Sequence, residues 1–130
     1  MHRSIIQLDL FTLVSVQCLS CKQKHPFTPA CVPQNWDVQR VTDMNQMFMN
    51  FPSFNSGISA WDVQGVTSMY AMFYMASAFN SDISAWDVQH VTTMRQMFVG
   101  ASAFNAGISA WDVQRVTNMY KMFVEWASAL

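Results

Sequence analysis

Charge is what this sequence has least of. Asp, Glu, Lys and Arg together make up 12% of its 130 residues, about half the usual share. Neither sign prevails: seven Lys+Arg stand against eight Asp+Glu, a formal net charge of −1. There is no cationic surplus to neutralise phosphates, so nucleic-acid binding finds no support. The apolar share of 52% excludes a polar disordered chain. Long hydrophobic runs are missing as well. The longest mainly apolar stretch, Ile5 to Leu19, has 15 residues and contains Asp9, too short and too polar for a normal membrane span. Catalytic constellations are also lacking. His2, His25 and His90 occupy unrelated places, and there is no Ser/His/Asp set, Gly-rich phosphate loop or metal-protease helix motif. The sequence therefore reads as a non-enzyme without cofactor, in one domain.

What it does have is a repeat. Trp36, Trp61, Trp86 and Trp111 are spaced 25 residues apart, and each opens the phrase Trp-Asp-Val-Gln-x-Val-Thr-x-Met-x-x-Met-Phe. The units are 36–60, 61–85, 86–110 and a partial 111–130, behind a leader of residues 1–35. A fixed period of this size means units too short to bury a core alone, which must stack. Stacking turns the eleven Met and ten Phe into columns: Met44/Met69/Met94/Met119, Met47/Met72/Met97/Met122, Phe48/Phe73/Phe98/Phe123 and Phe54/Phe79/Phe104. If Trp61 or Trp86 is fully buried, its change to Ala should cost about 3–5 kcal/mol.

Within one unit the apolar positions run Ile58-x-x-Trp61-x-Val63-x-x-Val66-x-x-Met69, a leucine-rich-repeat frame. Trp61 and Val63, two apart, are expected to point inward from a short strand, with Asp62 outward. Thr67 ahead of Met69, Met72 and Phe73 predicts a short helical turn with Thr67 as N-cap, and Thr42, Thr92 and Thr117 likewise. Ala76 to Asn80 reads as an irregular return path anchored by Phe79. The expected fold is an α/β repeat solenoid, leucine-rich-repeat-like, with a short parallel strand and a short helical turn per 25-residue coil.

The phrase Trp-Asp-Val-x-x-Val-Thr-x-Met-x-x-Met-Phe, followed by Ala-Ser-Ala-Phe-Asn-x-x-Ile-Ser, resembles the repeat of a family of bacterial surface proteins and lipoproteins. That family is grouped with BspA-type leucine-rich repeats and catalogued as a domain of unknown function. The resemblance covers residues 36–130. It implies a leucine-rich-repeat-like solenoid, displayed at a cell surface and associated with adhesion or protein binding, and it implies no catalytic residues. The chain departs from the pattern in places. Phe51-Pro52 replaces Ala-Ser, so the first return loop is expected to differ. Ala127-Ser128-Ala129-Leu130 sits one residue late.

The leader reads two ways. Leu8-x-x-Phe11-x-Leu13-x-x-Val16-x-x-Leu19 repeats the spacing of Ile58 to Met69 and suggests a degenerate capping coil. His2 and Arg3 ahead of an apolar run suggest a secretory signal, against which stand Asp9 and the want of a clean cleavage site. Cys18, Cys21, His25 and Cys31 have the ligand types for tetrahedral zinc, but the spacing is compressed, and no metal is assigned. Small apolar residues, or one disulfide with a spare thiol, are the competing readings.

The strand frame exposes the columns Asp37/Asp62/Asp87/Asp112 and Gln39/Gln64/Gln89/Gln114, with Arg40, Gly65, His90 and Arg115 beside them. Carboxylates stacked about 4.8 Å apart repel by roughly 0.9 kcal/mol in bulk water. Each Asp must then be wet, hydrogen-bonded or neutralised. One reading has it accept from the amide two residues on, an Asx turn. The other is an acidic stripe for a basic partner or a divalent cation, with Arg40 and Arg115 neutralising it locally. Asn55, Asn80 and Asn105 are expected to bond backbone between coils. The functional expectation is a non-catalytic, adhesion-type protein-binding module acting through this strand face, at the cell surface or secreted. The Asp and Gln columns with Arg40, His90 and Arg115 are its candidate contacts. The alternative is a structural piece of a longer array that self-associates end to end, or an intracellular chain.

Overall fold

The structure is a computed structural model, and it describes residues 37–124. Coils 37–60, 61–85, 86–110 and 111–124 lie one on another in register. Three isolated parallel bridges mark the stacking: Asp43 with Ser68, Ser68 with Thr93, and Thr93 with Asn118. Each joins residues 25 apart. The 25-residue stacking inferred from the Trp spacing is therefore present.

The α/β content is not. Among the described residues there is no helix and no strand longer than a single bridge. The α/β, leucine-rich-repeat-like solenoid is thus corrected to a stack of coils built from consecutive turns. The apolar residues three apart close i to i+3 backbone bonds. The amides of Trp61, Val66, Met72, Ala76 and Phe79 donate to the carbonyls of Ile58, Val63, Met69, Phe73 and Ala76 at 3.1, 2.9, 3.3, 3.0 and 3.0 Å. A spacing of three puts both ends of a turn on the same side, as it would in a helix. What excludes the helix is the backbone at Gln46, Ala71, Gln96 and Lys121. Their φ angles of 58°, 52°, 57° and 51° lie in the left-handed region, which interrupts a right-handed helix.

The amides that a helix would use internally go to the next coil instead. Met69, Ala71, Phe73 and Met75 donate to the carbonyls of Thr93, Arg95, Met97 and Val99 at 3.0, 2.9, 3.0 and 2.7 Å. The same ladder joins the other neighbouring coils, from Met44 to Asn50 and from Met94 to Gly100. The inter-coil ladder therefore falls on the segment expected to be helical. Trp61 and Val63, expected on a strand, are buried as anticipated, but they sit on turns that carry no bridge.

Thr67, Thr92 and Thr117 are not helix caps. Each donates its amide at 2.8 Å to the carbonyl of the Thr one coil earlier, and its hydroxyl to the same oxygen at 3.1, 3.1 and 3.2 Å.

The core is a set of ring and thioether columns, with no buried polar or charged residue among the described ones. Phe48, Phe73, Phe98 and Phe123 follow one another with centroids 5.7, 5.6 and 5.4 Å apart. Phe54, Phe79 and Phe104 form a second column at 5.7 and 5.8 Å. The columns touch within each coil, Phe48 on Phe54 and Phe73 on Phe79 at 3.8 Å and Phe98 on Phe104 at 4.0 Å. Such near-parallel stacks add to the burial energy of the rings. Trp61 and Trp86 lie parallel at 6.4 Å. The indole N–H groups of Trp86 and Trp111 donate to the carbonyls of Ile58 and Ile83 at 3.0 Å. These two indoles thus bury their one polar atom in a bond to the coil below.

The return path keeps its bonds through the Phe51-Pro52 departure. The Pro52 carbonyl accepts from the Ala78 amide at 3.0 Å and the Ser77 hydroxyl at 3.3 Å. The Ser77 carbonyl does the same for Ala103 and Ser102, at 3.1 and 3.4 Å. Of the backbone groups at this position only the carbonyl is used, so Pro, which lacks an N–H, fits it. The different loop expected there is corrected to a shared one. The leader and residues 125–130, with their cap, signal and zinc readings, lie outside the described residues.

Candidate functional site

The Asp and Gln columns form one exposed edge of the stack, and their local chemistry is tied up in the coil. Asp37, Asp62, Asp87 and Asp112 accept from the amides of Gln39, Gln64, Gln89 and Gln114 at 3.1, 3.2, 3.1 and 3.1 Å. These are Asx turns, which set the corner after each Trp. Gln39 and Gln89 also reach back with their side-chain amides, at 3.1 and 2.8 Å, to the second carboxylate oxygen. Each Asp thus has its own donor, which offsets the repulsion down the column. Arg40 and Arg115 are exposed and close no ion pair with their Asp. His90 is half-buried, its Nδ1 2.9 Å from the Gln64 carbonyl; in the tautomer carrying Nδ1–H it donates across the coils.

The Asn column does what its spacing suggests. Asn55 and Asn80 accept through Oδ1 from the amides of Asn80 and Asn105 at 2.7 Å. Asp82 forms a separate small turn. Its carboxylate accepts from the Ser84 hydroxyl at 2.6 Å and the Ser84 amide at 3.0 Å, and these two bonds, the hydroxyl foremost, hold its pKa below the ordinary carboxylate value.

The ladder segment carries a different surface, which the strand frame overlooked. Its columns vary from coil to coil: Asp43/Ser68/Thr93/Asn118, Asn45/Tyr70/Arg95/Tyr120 and Gln46/Ala71/Gln96/Lys121. The Arg95 guanidinium lies over both tyrosines, 6.0 Å from the Tyr70 ring centre and 5.4 Å from that of Tyr120. The Lys121 ammonium is 5.3 Å from the Tyr120 ring. Arg95, Tyr120 and Lys121 are exposed, and no carboxylate among the described residues pairs with either cation. In the coil below, Asn45 takes over this position. Its Oδ1 accepts the Tyr70 amide at 2.9 Å and the Ser68 hydroxyl. One signal in the sequence pointed here. The repeated phrase is identical from coil to coil, so a position reading Asn, Tyr, Arg, Tyr stands out as one where the coil does not demand a single side chain.

No group of three or more His, Cys, Asp or Glu side chains suited to a metal ion occurs among the described residues. Among the described residues no helix is long and apolar enough to cross a membrane.

The fold and surface define a repeat protein whose coils are made of turns and whose identical columns serve the architecture. A family described as "Mycoplasma protein of unknown function, DUF285" matches residues 20–129, and the chain belongs to that family. The match begins inside the leader, upstream of the first repeated Trp. No curated protein and no solved structure matches the chain.

Proposed function

We propose that the chain is a non-catalytic protein-binding module, and that it binds through the ladder segment rather than through the Asp and Gln columns. The observation that carries this reading is the Tyr70–Arg95–Tyr120 column, in which Arg95 and Tyr120 are exposed and Tyr70 is half-buried. Tyr and Arg are enriched in the energetic centres of interfaces. An Arg already held over two rings loses less side-chain freedom on docking than a free one. The Asp column, by contrast, has its carboxylates committed to the amides of its own turns, and Gln39 and Gln89 add their side-chain amides. The resemblance to BspA-type surface repeats supports display at a cell surface and an adhesion role, and both belong to this reading.

The test is photo-crosslinking in the native host, with a photoreactive residue at position 95 in one variant and at position 62 in another. Adducts to a foreign protein from position 95 alone are the expected result. Adducts from position 62 alone would return the binding role to the Asp and Gln columns. Protease shaving of intact cells tests the location, and a chain that stays protected contradicts surface display.

A further inference from the structure

Positive charge gathers on one patch of the ladder segment with no negative charge to answer it. The Arg95 guanidinium and the Lys121 ammonium share the Tyr120 ring, 5.4 and 5.3 Å from its centre. Two like charges on one ring repel, and no salt bridge among the described residues relieves them. The guanidinium makes no hydrogen bond to any described residue either, so its N–H donors are left to solvent. The backbone beneath is fixed. The Arg95 amide donates to the Thr93 hydroxyl at 3.3 Å, and its carbonyl accepts from the Ala71 amide at 2.9 Å. The Tyr70 and Tyr120 amides donate to Asn45 and Asn118 at 2.9 and 3.0 Å. Arg95 lies in coil 86–110, between coils 61–85 and 111–124, so neither end of the stack sets its surroundings.

We infer that this patch docks an acidic segment of a partner protein, and that an Asp or Glu carboxylate of that segment pairs with the Arg95 guanidinium. The inference rests on the ladder segment being the binding surface, and it names the chemistry that surface takes. A guanidinium held over ring faces keeps its N–H donors for another acceptor. A carboxylate takes two of them in parallel, a geometry that an ammonium does not offer. The phenol hydroxyls of Tyr70 and Tyr120 and the Gln96 amide flank the cation and can bond the backbone of the docked segment. The remaining charge on the ladder segment argues against a repeating polyanion. From Thr42 to Asn50 and through the equivalent residues of the later coils, the charges are Arg95, Lys121 and Asp43. Asp43 stands on the bridge column two coils from Thr93. A ligand charged at every unit would lie on Asp43 as well as on the cations. One or two carboxylates set in a neutral segment meet the cations alone.

The test is selection of a random library of short peptides on the immobilised full chain. Asp and Glu should be enriched among the retained peptides, and Arg95→Gln should weaken their binding by more than about tenfold. Arg95→Lys keeps the charge but loses the fork, and should recover little of that loss. Added salt should weaken binding as well. Arg95 is exposed, so both variants should keep the wild-type circular dichroism spectrum. Retained peptides without Asp or Glu, or none retained at all, overturn the inference. So does acid enrichment that survives Arg95→Gln, or a sulfated polysaccharide that binds more tightly than every retained peptide. A photoreactive phenylalanine at position 120 keeps an aromatic ring there and leaves Arg95 in place. In the native host its adducts should fall on a foreign protein segment that carries Asp or Glu. Adducts on a segment lacking both overturn the acidic partner and leave the binding role standing, whereas adducts from position 62 alone overturn both.

Discussion

Removing one ring from the middle of the phenylalanine stack should cost far more than removing its repeat-equivalent at the end. Phe73 is 0% exposed and sits within 6.4 Å, centre to centre, of Phe48, Phe54, Phe79, Trp86 and Phe98. Phe→Ala at such a site loses transfer energy and leaves a cavity, together about 3–5 kcal/mol. Ring stacking beyond simple burial, about 0.5–1.5 kcal/mol for a pair, pushes Phe73→Ala toward the upper end of that range. Phe123 has two ring neighbours, Phe98 at 5.4 Å and Phe104 at 6.4 Å, and is 58% exposed. Less than half of it is removed from water, and solvent fills the space that its loss would leave. About 1 kcal/mol is the expected cost of Phe123→Ala. Urea unfolding of the two variants, followed by Trp fluorescence, measures the difference. Equal losses of stability would refute the columnar core, because they would mean that burial does not rise from the end of the stack to its middle.

Other consequences are open to direct measurement. Trp86→Phe removes one of the two donors to the Ile58 carbonyl, which keeps the Trp61 amide, so it should destabilise by about 0.5–1.5 kcal/mol for the lost bond, and urea titration checks it. Asn80→Ala removes the acceptor of the Asn105 amide, so hydrogen exchange at Asn105 should speed up while exchange at Asn80, still bonded to Asn55, changes less. Gly100→Ala places a side chain at φ +70°, where its Cβ would overlap Met75 Sδ, and should cost about 1–2 kcal/mol by thermal unfolding. Asp82 has a folded pKa below its unfolded value, so its stabilising effect is present above the ordinary carboxylate pKa and fades as pH falls through the folded pKa. Asp82→Asn should therefore flatten the acid side of the stability profile and leave the slope above neutrality unchanged; a steeper acid limb would contradict the Ser84 bonds.

The candidate surface was only partly legible in the residues. The Asp column was readable as an Asx turn from its spacing, because an Asp side chain reaches an amide two residues on whatever the rest of the fold does. The Asn column was readable because an identical polar residue in each coil implies a bond between coils. The Tyr70–Arg95–Tyr120 column was missed for a geometric reason. Placing the strand at Trp61–Val63 put the exposed inter-coil face there, five to seven residues before the bridge that forms at Ser68. Once the ladder is located, the positions on it whose side chains vary from coil to coil stand out.

By itself the sequence determined the period, the four recurring units and the membership of the core columns. Apolar residues repeated every 25 positions have no way to leave water except by stacking on their own equivalents. Only the tertiary structure decided the backbone that fills each period. Apolar residues three apart suit a helical turn and a run of β-turns equally well, since both bring the two side chains to one side. The choice rests on where the amides of Met69, Ala71 and Phe73 find their acceptors. Those acceptors are carbonyls of residues 93, 95 and 97, which belong to the next coil and come within reach only once the stack exists. Local spacing carries no record of that neighbour, so helix and turn were separated by a contact 24 residues away in the chain.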